Sequence, residues 1–482
     1  MSRPGLRGHR ILTIALAVPL LLPPYIVAMT WVDLLGTNGL LRSVFATTPA
    51  DLGAPGSPPF NLYNTGGVIL VLALTYFPLS AGCTAIAWRR VDGTAVEAAR
   101  VYGGLARTFW RTQLPLAAPG ILAGILAVFL LGLLSFAVPS LLQVQVYTVE
   151  IYTRFSSFFD TSGAMAQALP LLALGLATVL LLQRHLRRAT AASTTPRPCR
   201  VPMPRGLHAT AITYSMLLAL GAGALPIAVV AWRAGTPAEI LTAWRSAGDE
   251  VLTSLLLSTA AATATVFLAL AMGCIERDLP PRSQVVLSAR SQVVLGNALA
   301  QEAALRLPRR LFSASAVPFL VSGPVLGVGL IHLWNHAPLL SLVYDSAAIL
   351  VLACTARYLV FAHLGLRAAL AQLGARPEEA AAVCGAGPLR RVTQILLPLL
   401  SPALIVLWAI VFILSLGELD TVLLVAPPGW TPLSVRVFSL LHYGPSQAVA
   451  ALCLLTLLIM LLAAGLCAVA YALLRRGLHV RA

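Results

Sequence analysis

The sequence contains no lysine, because all 33 basic residues of the 482-residue chain are arginines. A phosphate-binding P-loop needs a lysine after its glycines, so this chain cannot supply an ATP-hydrolysing site of that kind. Charged residues make up only 10% of the chain, whereas hydrophobic residues make up 58%. This balance is typical of a membrane protein and argues against a set of soluble domains.

Paired cysteines and clustered histidines are also missing. The seven cysteines are scattered, and none lies in a Cys-x-x-Cys pair. The eight histidines form no spacing typical of metal ligands. The pattern therefore indicates neither a disulfide framework nor a zinc site, and we expect no metal or cofactor in this chain.

Ten apolar runs are each long enough to cross a hydrocarbon core of about 30 Å. In lipid such runs must be helical, because every backbone N–H and C=O group needs a partner within the protein. The predicted fold class is therefore an all-α, polytopic membrane protein with about ten transmembrane helices. The runs are residues 11–32, 66–88, 116–138, 163–182, 209–232, 252–274, 311–334, 346–366, 396–417 and 448–472.

The distribution of arginine explains the net charge of +16 without a nucleic-acid partner. If the N-terminus is cytoplasmic, 27 of the 33 arginines fall in cytoplasmic segments. That bias follows the positive-inside rule for the lipid bilayer of a bacterial inner membrane. The prediction is a multi-pass protein with both termini in the cytoplasm, in which the first run is retained and not cleaved as a signal peptide.

Two similar segments interrupt the apolar pattern, and we call them the first and second EAA segments. The first, Val96–Pro119, reads VEAARVYGGLARTFWRTQLPLAAP, and the second, Pro377–Pro402, reads PEEAAAVCGAGPLRRVTQILLPLLSP. Each has Glu-Ala-Ala, a Gly six positions after the Glu, and a Leu-Pro that opens the next apolar run. From the Leu-Pro onward the copies align without a gap, which places Ser135 opposite Glu418.

The second EAA segment has the features of a short helix presented to the cytoplasm. Pro377 suits a helix start, and the two acids that follow it complement the positive end of the helix dipole. Gly385 and Gly387 can end the helix, since glycine adopts the left-handed conformation at little cost. Glu-Ala-Ala is common in any alanine-rich helix, but two matched copies that the count of crossings puts on one side favour a function.

These residues resemble the Glu-Ala-Ala loop, or EAA motif, of the membrane subunits of binding-protein-dependent ABC importers. The resemblance covers both halves and implies a fused permease, not an enzyme, that works with a separate ABC ATPase, in two copies, and an extracytoplasmic solute-binding protein. It implies that ATP is bound by the partner subunit and that two loops couple ATP hydrolysis to transport. The implied coupling residues are Glu97, Ala98, Ala99 and Gly103 in the first copy, and Glu379, Ala380, Ala381 and Gly385 in the second.

Two further stretches narrow the choice of substrate, because they resemble the iron(III), thiamine and phosphonate branch of this family. They are Pro23–Leu41, PPYIVAMTWVDLLGTNGLL, and Gly417–Leu441, GELDTVLLVAPPGWTPLSVRVFSLL. Pro432 stands where this branch has Thr, and Ala426 where it has Arg. Ferric iron is the substrate that this resemblance favours.

The two halves are unequal in length. We predict a first permease unit of about four helices at residues 1–183, a cytoplasmic linker at 184–208, and a second unit of about six helices at 209–482. Because the start of the first apolar run, RILTIALAVP, matches that of the seventh, RLFSASAVP, the first unit lacks counterparts of two helices. Either the first unit has lost them or the true start lies upstream of Met1. The tandem octapeptide at 282–297, within the 276–310 loop, is interpreted as a local duplication.

Three charged residues inside or beside apolar runs are candidates for the transport pathway, because charge in a bilayer is costly. Arg357 lies within a run, and Glu418 and Asp420 follow the end of another. The functional interpretation is that they line or gate a pathway. The alternative is that Arg357 pairs with a buried carboxylate or carbonyl, and that the two acids merely meet external water.

Two other classes of protein compete with the ABC permease. An ion-coupled secondary transporter also uses internal repeats, but it needs no ATPase and would not be expected to carry paired EAA segments. A polytopic membrane enzyme would need catalytic residues near a membrane face, and no cluster of His, Asp or Ser at catalytic spacing is found there.

Overall fold

The computed structural model describes residues 9–36, 39–40, 61–89, 91–191, 205–277, 315–335, 338–374, 376–443 and 446–481. Regular structure in these residues is helical, which confirms the all-α fold class. The tandem octapeptide at 282–297 lies outside the described residues. The α-helices, in chain order, are α1 His9–Ala17, α2 Pro24–Leu35, α3 Thr65–Arg89, α4 Gly93–Thr108, α5 Leu114–Leu134, α6 Ala137–Leu141, α7 Tyr147–Ser156, α8 Thr161–Ala191, α9 Arg205–Ala219, α10 Leu225–Arg233, α11 Pro237–Ser246, α12 Gly248–Arg277, α13 Gly323–Trp334, α14 Pro338–Tyr344, α15 Ala348–Leu373, α16 Arg376–Val383, α17 Pro388–Arg391, α18 Leu397–Leu416, α19 Val422–Val425, α20 Leu433–Tyr443 and α21 Ser446–Arg481.

Most of the apolar runs form helices long enough to cross a membrane. Within the described ranges, eight helices meet that length and hydropathy, and a bent pair makes a ninth if it is counted as one span. In the described part of the run at 311–334, a helical stretch at 315–320 is separated by two residues from the shorter apolar helix α13. Large side chains on these helices point outward, for example Ile69, Leu217, Phe267 and Leu462, each more than 60% exposed. Such an apolar surface suits lipid and not water.

The first apolar run is not the single straight helix that its length predicts. Leu12–Leu21 and Pro24–Leu35 meet at an angle of 97°. Pro23 and Pro24 lie at the corner, and proline lacks an N–H donor and clashes with the preceding turn. The run is therefore apolar enough to lie in a membrane, as its composition predicts, but it forms two helical pieces and not one straight helix.

The described residues group into two compact units. The first is drawn from Met1–Ile240, Leu320–Val325 and Pro445–Leu454, and the second from Leu241–Phe319, Leu326–Gly444 and Leu455–Ala482. In the first unit α5 packs against both α3 and α8, and in the second unit α12, α15 and α18 pack against one another. The division at 183 and 208 that the sequence indicates stays a prediction.

Small residues allow the helices of the first unit to approach closely. A Cβ atom on Gly120 of α5 would collide with the side chain of Ala87 on α3. A Cβ atom on Gly124, one turn further along, would lie 2.9 Å from the backbone of Ser80. This is the small-residue packing that brings helix backbones together in membranes, where no hydrophobic effect drives helices to associate.

Candidate functional site

The Glu-Ala-Ala part of the first EAA segment lies on α4, which begins next to a polar cap. The carboxylate of Asp92 accepts hydrogen bonds from the N–H of Thr94 (3.1 Å) and from its hydroxyl (2.6 Å). Glu97 and Ala98 are exposed, and Ala99 is half-buried. The candidate face therefore lies on the surface of the first unit.

The glycine that interrupts the first EAA segment is not the one that the sequence alignment singles out. Gly103 keeps a helical conformation, and the break occurs at Gly104, with φ of 67° and ψ of −179°. The two glycines are adjacent and equivalent in sequence, so only the backbone torsion angles show which of them leaves the helix. The coupling role of Gly103 stays a prediction.

The second EAA segment contains a short helix between two glycines in the left-handed region. The helix α16 follows Gly374 (φ 68°) and ends before Gly385 (φ 81°). Its end is a Schellman motif, because Gly385 N–H donates to the Ala382 carbonyl and Ala386 N–H donates to the Ala381 carbonyl, both at 3.0 Å.

The candidate residues of α16 lie on its surface. Glu379 and Ala380 are exposed, Ala381 is half-buried, and Gly385 is exposed at the C-terminal turn. The slim, alanine-rich face would allow another backbone to come close.

Both EAA segments re-enter an apolar helix through the same local distortion. Phe109–Gln113 and Val392–Leu396 each form a wide π-helical turn immediately before the Leu-Pro. Each turn has five residues and ends directly before the Leu-Pro at which the gap-free alignment begins, so Phe109 lies opposite Val392. The internal repeat is therefore a repeat of backbone geometry as well as of residues.

Beyond these apolar helices, each unit has a segment that interrupts the helical backbone. We call residues 135–146 the first break segment and residues 417–432 the second break segment. Each contains one short helix, α6 or α19, and one residue in the left-handed region, Gln143 or Gly429.

A matched hydrogen bond closes each break segment. The hydroxyl of Thr148 donates to the carbonyl of Ser135 at 2.8 Å, and the hydroxyl of Ser434 donates to the carbonyl of Glu418 at 2.7 Å. Both hydroxyls are buried. Irregular backbone at membrane depth is tolerated only where the protein satisfies its polar groups or where it lines a cavity.

The three pathway candidates meet at the second break segment. Arg357 Nε lies 3.3 Å from Glu418 Oε2, and Arg357 Nη2 lies 3.7 Å from Asp420 Oδ2. The hydroxyl of Tyr358 donates to Glu418 Oε2, and Glu418 Oε1 accepts the backbone N–H of Thr421 at 3.0 Å. One helix and one irregular segment are thus joined by a cluster of buried charges.

The idea that the two acids merely meet external water is therefore wrong for Glu418, which is only 5% exposed. The side chain of Asp420 is 16% exposed and pairs with Arg357. The alternative to a pathway role is that Arg357 pairs with a buried carboxylate. The contact between Arg357 and Glu418 is such a pair. A role in the pathway stays a prediction.

A small cavity in the second unit lies beside this cluster. Polar lining groups include Glu418, the thiol of Cys354 and the hydroxyls of Ser254, Ser258 and Ser415. The remaining lining is apolar and comes from Leu257, Leu350, Leu416, Val422 and Pro432.

A second polar cluster, partly buried, lies further along α15, and no sequence motif indicated it. His363 Nε2 and Arg367 Nε each lie 3.2 Å from the carboxylate of Glu276 at the end of α12. The hydroxyl of Ser315 is 2.9 Å from His363 Nδ1. A signal was present, because Glu276 ends an apolar run and His363 lies within another, but no spacing in the sequence links them.

Two regions of the chain, residues 2–191 and 305–478, match the family model described as the inner membrane component of binding-protein-dependent transport systems. Each region contains one EAA segment, one π-helical turn and one break segment.

Individual relatives are transport permeases. PhnV of Salmonella paratyphi A, assigned as a 2-aminoethylphosphonate transport system permease protein, is 31% identical over 149 residues, 30% of this chain and 54% of PhnV. The chain thus spans about half the length of that relative. FbpB 2 of Haemophilus influenzae, an Fe(3+)-transport system permease protein, is 24% identical over 457 residues, 92% of this chain and 79% of FbpB 2. ModB of the same organism, a molybdenum transport system permease protein, is 27% identical over 171 residues, 35% of this chain and 71% of ModB.

The two matched regions cover well over half of the chain and repeat the same local geometry. The chain therefore belongs to the inner membrane components of binding-protein-dependent transport systems, as a multi-pass fused permease that carries the family's domain in two segments.

Proposed function

We propose that this chain is the permease of an ABC importer whose two EAA segments are docking sites for a separate ATPase. A substrate-loaded extracytoplasmic binding protein docks outside, and closure of two ATPase subunits moves both segments. The pathway then changes from inward-facing to outward-facing by a rocking of the two halves. The chain itself makes no covalent change to the solute.

The matched geometry of the EAA segments carries this proposal. Each segment offers an exposed Glu and Ala on a short helix that a glycine with positive φ ends, followed by a π-helical turn into an apolar helix. A short rigid helix that ends at a glycine can transmit a displacement to the apolar helix that follows. An ion-coupled secondary transporter has no need of two such helices.

The absence of lysine from the sequence supports a separate motor. ATP is bound and hydrolysed by the partner, in two copies because there are two EAA segments, and no cofactor belongs to the permease. For both segments to meet the ATPase they must face the cytoplasm, together with both termini, as the distribution of arginine indicates.

The solute that we propose is ferric iron. The iron permease FbpB 2 is similar over 92% of this chain, whereas the phosphonate and molybdenum permeases are similar over about a third. Uptake of radiolabelled ferric iron by cells that carry or lack the chain tests this choice. Uptake of 2-aminoethylphosphonate in place of iron would overturn it.

The docking proposal is tested by blocking each helix face with a bulky side chain. We expect Ala98→Trp and Ala380→Trp to abolish co-purification of the ATPase with the full-length chain in detergent, because both alanines are exposed on the proposed docking faces. Ala73→Trp is the matched control, since Ala73 is exposed in the middle of the apolar helix α3. ATPase binding that survives both docking variants would overturn these docking faces, whereas transport by the chain without an ATPase would favour the secondary transporter.

A further inference from the structure

We propose that Arg357 and Glu418 are positioning residues that connect the second EAA segment to the second break segment, and that the first unit works without this ionic link. The inference rests on the proposed function, because it assigns to α15 the task of passing on the movement that the ATPase starts at α16.

The helix α15 extends unbroken between the two regions that the proposal connects. It ends at Leu373 and is followed by Gly374, which has a positive φ, and α16 begins two residues later at Arg376. The stretch of α15 from Arg357 to Gly374 is about 25 Å long at the usual rise of a helix. We therefore expect α15, as a stiff helix, to transmit a displacement of α16 to the second break segment.

Two polar clusters hold this stretch of α15, one at Arg357 and one near its middle at His363 and Arg367. Towards α16, His363 and Arg367 both contact Glu276 of α12. At the other end, Arg357 contacts Glu418 and Asp420 of the break segment. Because α15 is a continuous helix between these two clusters, a displacement of one cluster displaces the other.

Glu418 fastens the arginine to the break segment and not merely to a neighbouring helix. Its Oε1 accepts the N–H of Thr421, and its own carbonyl accepts the hydroxyl of Ser434, which is on α20. Arg357 Nη1 also donates to the hydroxyl of Thr421 at 3.3 Å. A displacement of Arg357 thus acts on the backbone turn at Glu418–Thr421, which follows the end of α18.

The first unit serves as an internal comparison, because it builds the same break without charge. Ser135 occupies the position aligned with Glu418, and its carbonyl is closed by Thr148 in the same way. When the copies are aligned on Glu97 and Glu379, Thr75 falls opposite Arg357. Thr75 bonds to the Val71 carbonyl of its own helix at 2.8 Å.

Folding of a break segment therefore does not require the ion pair. Buried charge is costly in a membrane and often can be replaced by apolar residues without loss of stability. The three charged residues at the second break segment therefore need a reason other than folding, and a role in movement supplies one.

The test uses the full-length permease with its co-purified ATPase in lipid nanodiscs, with and without trapping by magnesium, ATP and vanadate. Hydrogen–deuterium exchange is followed in α16 and in the second break segment. In the wild-type complex we expect trapping to change exchange in both regions, by about fivefold or more in the break segment. In Glu418→Gln we expect the α16 change to remain and the break-segment change to disappear.

Glu418→Gln is chosen because an amide oxygen can still accept the Thr421 N–H, so that the turn keeps its hydrogen bond. The double variant Arg357→Gln/Glu418→Gln leaves no unpaired partner between these two positions and should lose the response in the same way. Arg357→Lys keeps the charge and should restore part of the response that Arg357→Gln lacks, which a purely structural role would not predict.

The matched control is Glu250→Gln, which removes the more exposed ion pair of Glu250 Oε1 with Arg436 Nε at 3.6 Å. It should leave the response intact. The inference is overturned if Glu418→Gln responds like the wild type, or if Glu250→Gln loses the response equally. A wild-type complex in which α16 itself does not respond would instead overturn the proposed function on which the link rests.

Discussion

Gly385 occupies the left-handed region, with φ of 81°, and closes the Schellman motif at the end of α16. A Cβ atom at this position would meet no other atom within 4 Å. A side chain is therefore opposed only by the backbone conformation, which costs an L-residue about 1–2 kcal/mol.

Gly385→Ala should accordingly weaken the end of α16 by about 1 kcal/mol and reduce ATPase binding. Gly387→Ala is the control, because Gly387 is also exposed and uncrowded but has no positive φ. Exchange of the α16 amides and the yield of co-purified ATPase are the measurements. Equal effects of the two substitutions would contradict the assignment of Gly385 as the residue that ends the helix.

Residue-scale reasoning from the sequence succeeds where a single side chain decides the outcome. Pro377 predicts a helix start, and α16 begins at Arg376. The sequence does not tell which of Gly103 and Gly104 leaves the helix, because adjacent glycines are equivalent in sequence and only the torsion angles distinguish them.

At the scale of helices, contact between small residues sets how closely α3 and α5 pack. Gly120 faces Ala87, whereas Gly82 of α3 is exposed, and a Cβ atom added there would have nothing within 4 Å. The two glycines therefore have the same helix propensity, but only Gly120 is packed against a neighbouring helix.

We predict that Gly120→Leu destabilises the protein by about 1–3 kcal/mol, because the added side chain overpacks the contact. Gly82→Leu should be neutral or slightly stabilising, since leucine is a better helix former than glycine. Thermal unfolding in detergent, followed by loss of helical circular dichroism, distinguishes them. A similar loss of stability in both variants would mean that glycine itself, and not the α3–α5 contact, matters.

Element lengths are predictable from hydropathy, and element shapes are not. The apolar run at 116–138 predicts one helix, but α5 ends at Leu134 and the short helix α6 follows. Apolar residues continue through the break, and an interruption in the backbone hydrogen bonds leaves no mark on hydropathy.

At the scale of the whole molecule, the two regions that match the family model are 2–191 and 305–478. The helices α9 to α12 fall between them. The internal repeat pairs the first apolar run with the seventh, and each matched region begins just before one of those two runs.

The predicted membrane orientation is open to a direct test with reporter fusions. We expect green fluorescent protein fused to the C-terminus to fluoresce in the bacterial cytoplasm, because the arginine-rich end of α21 should stay inside. Alkaline phosphatase inserted within the turn Ser157–Asp160, which precedes α8, should be active in the periplasm. The opposite pattern would put both EAA segments on the wrong side for an ATPase.

Composition, hydropathy and the internal repeat determined the fold class, the membrane location and the two EAA segments. These properties follow from local chemistry, since apolar length, glycine, proline and arginine act where they occur in the chain. Tertiary structure alone decided that Arg357 meets Glu418 and that Glu276 meets His363. The members of each pair lie on different helices or segments, far apart in the chain. The energy of a buried polar contact depends on the distance in space between its groups, which no spacing along the chain reveals.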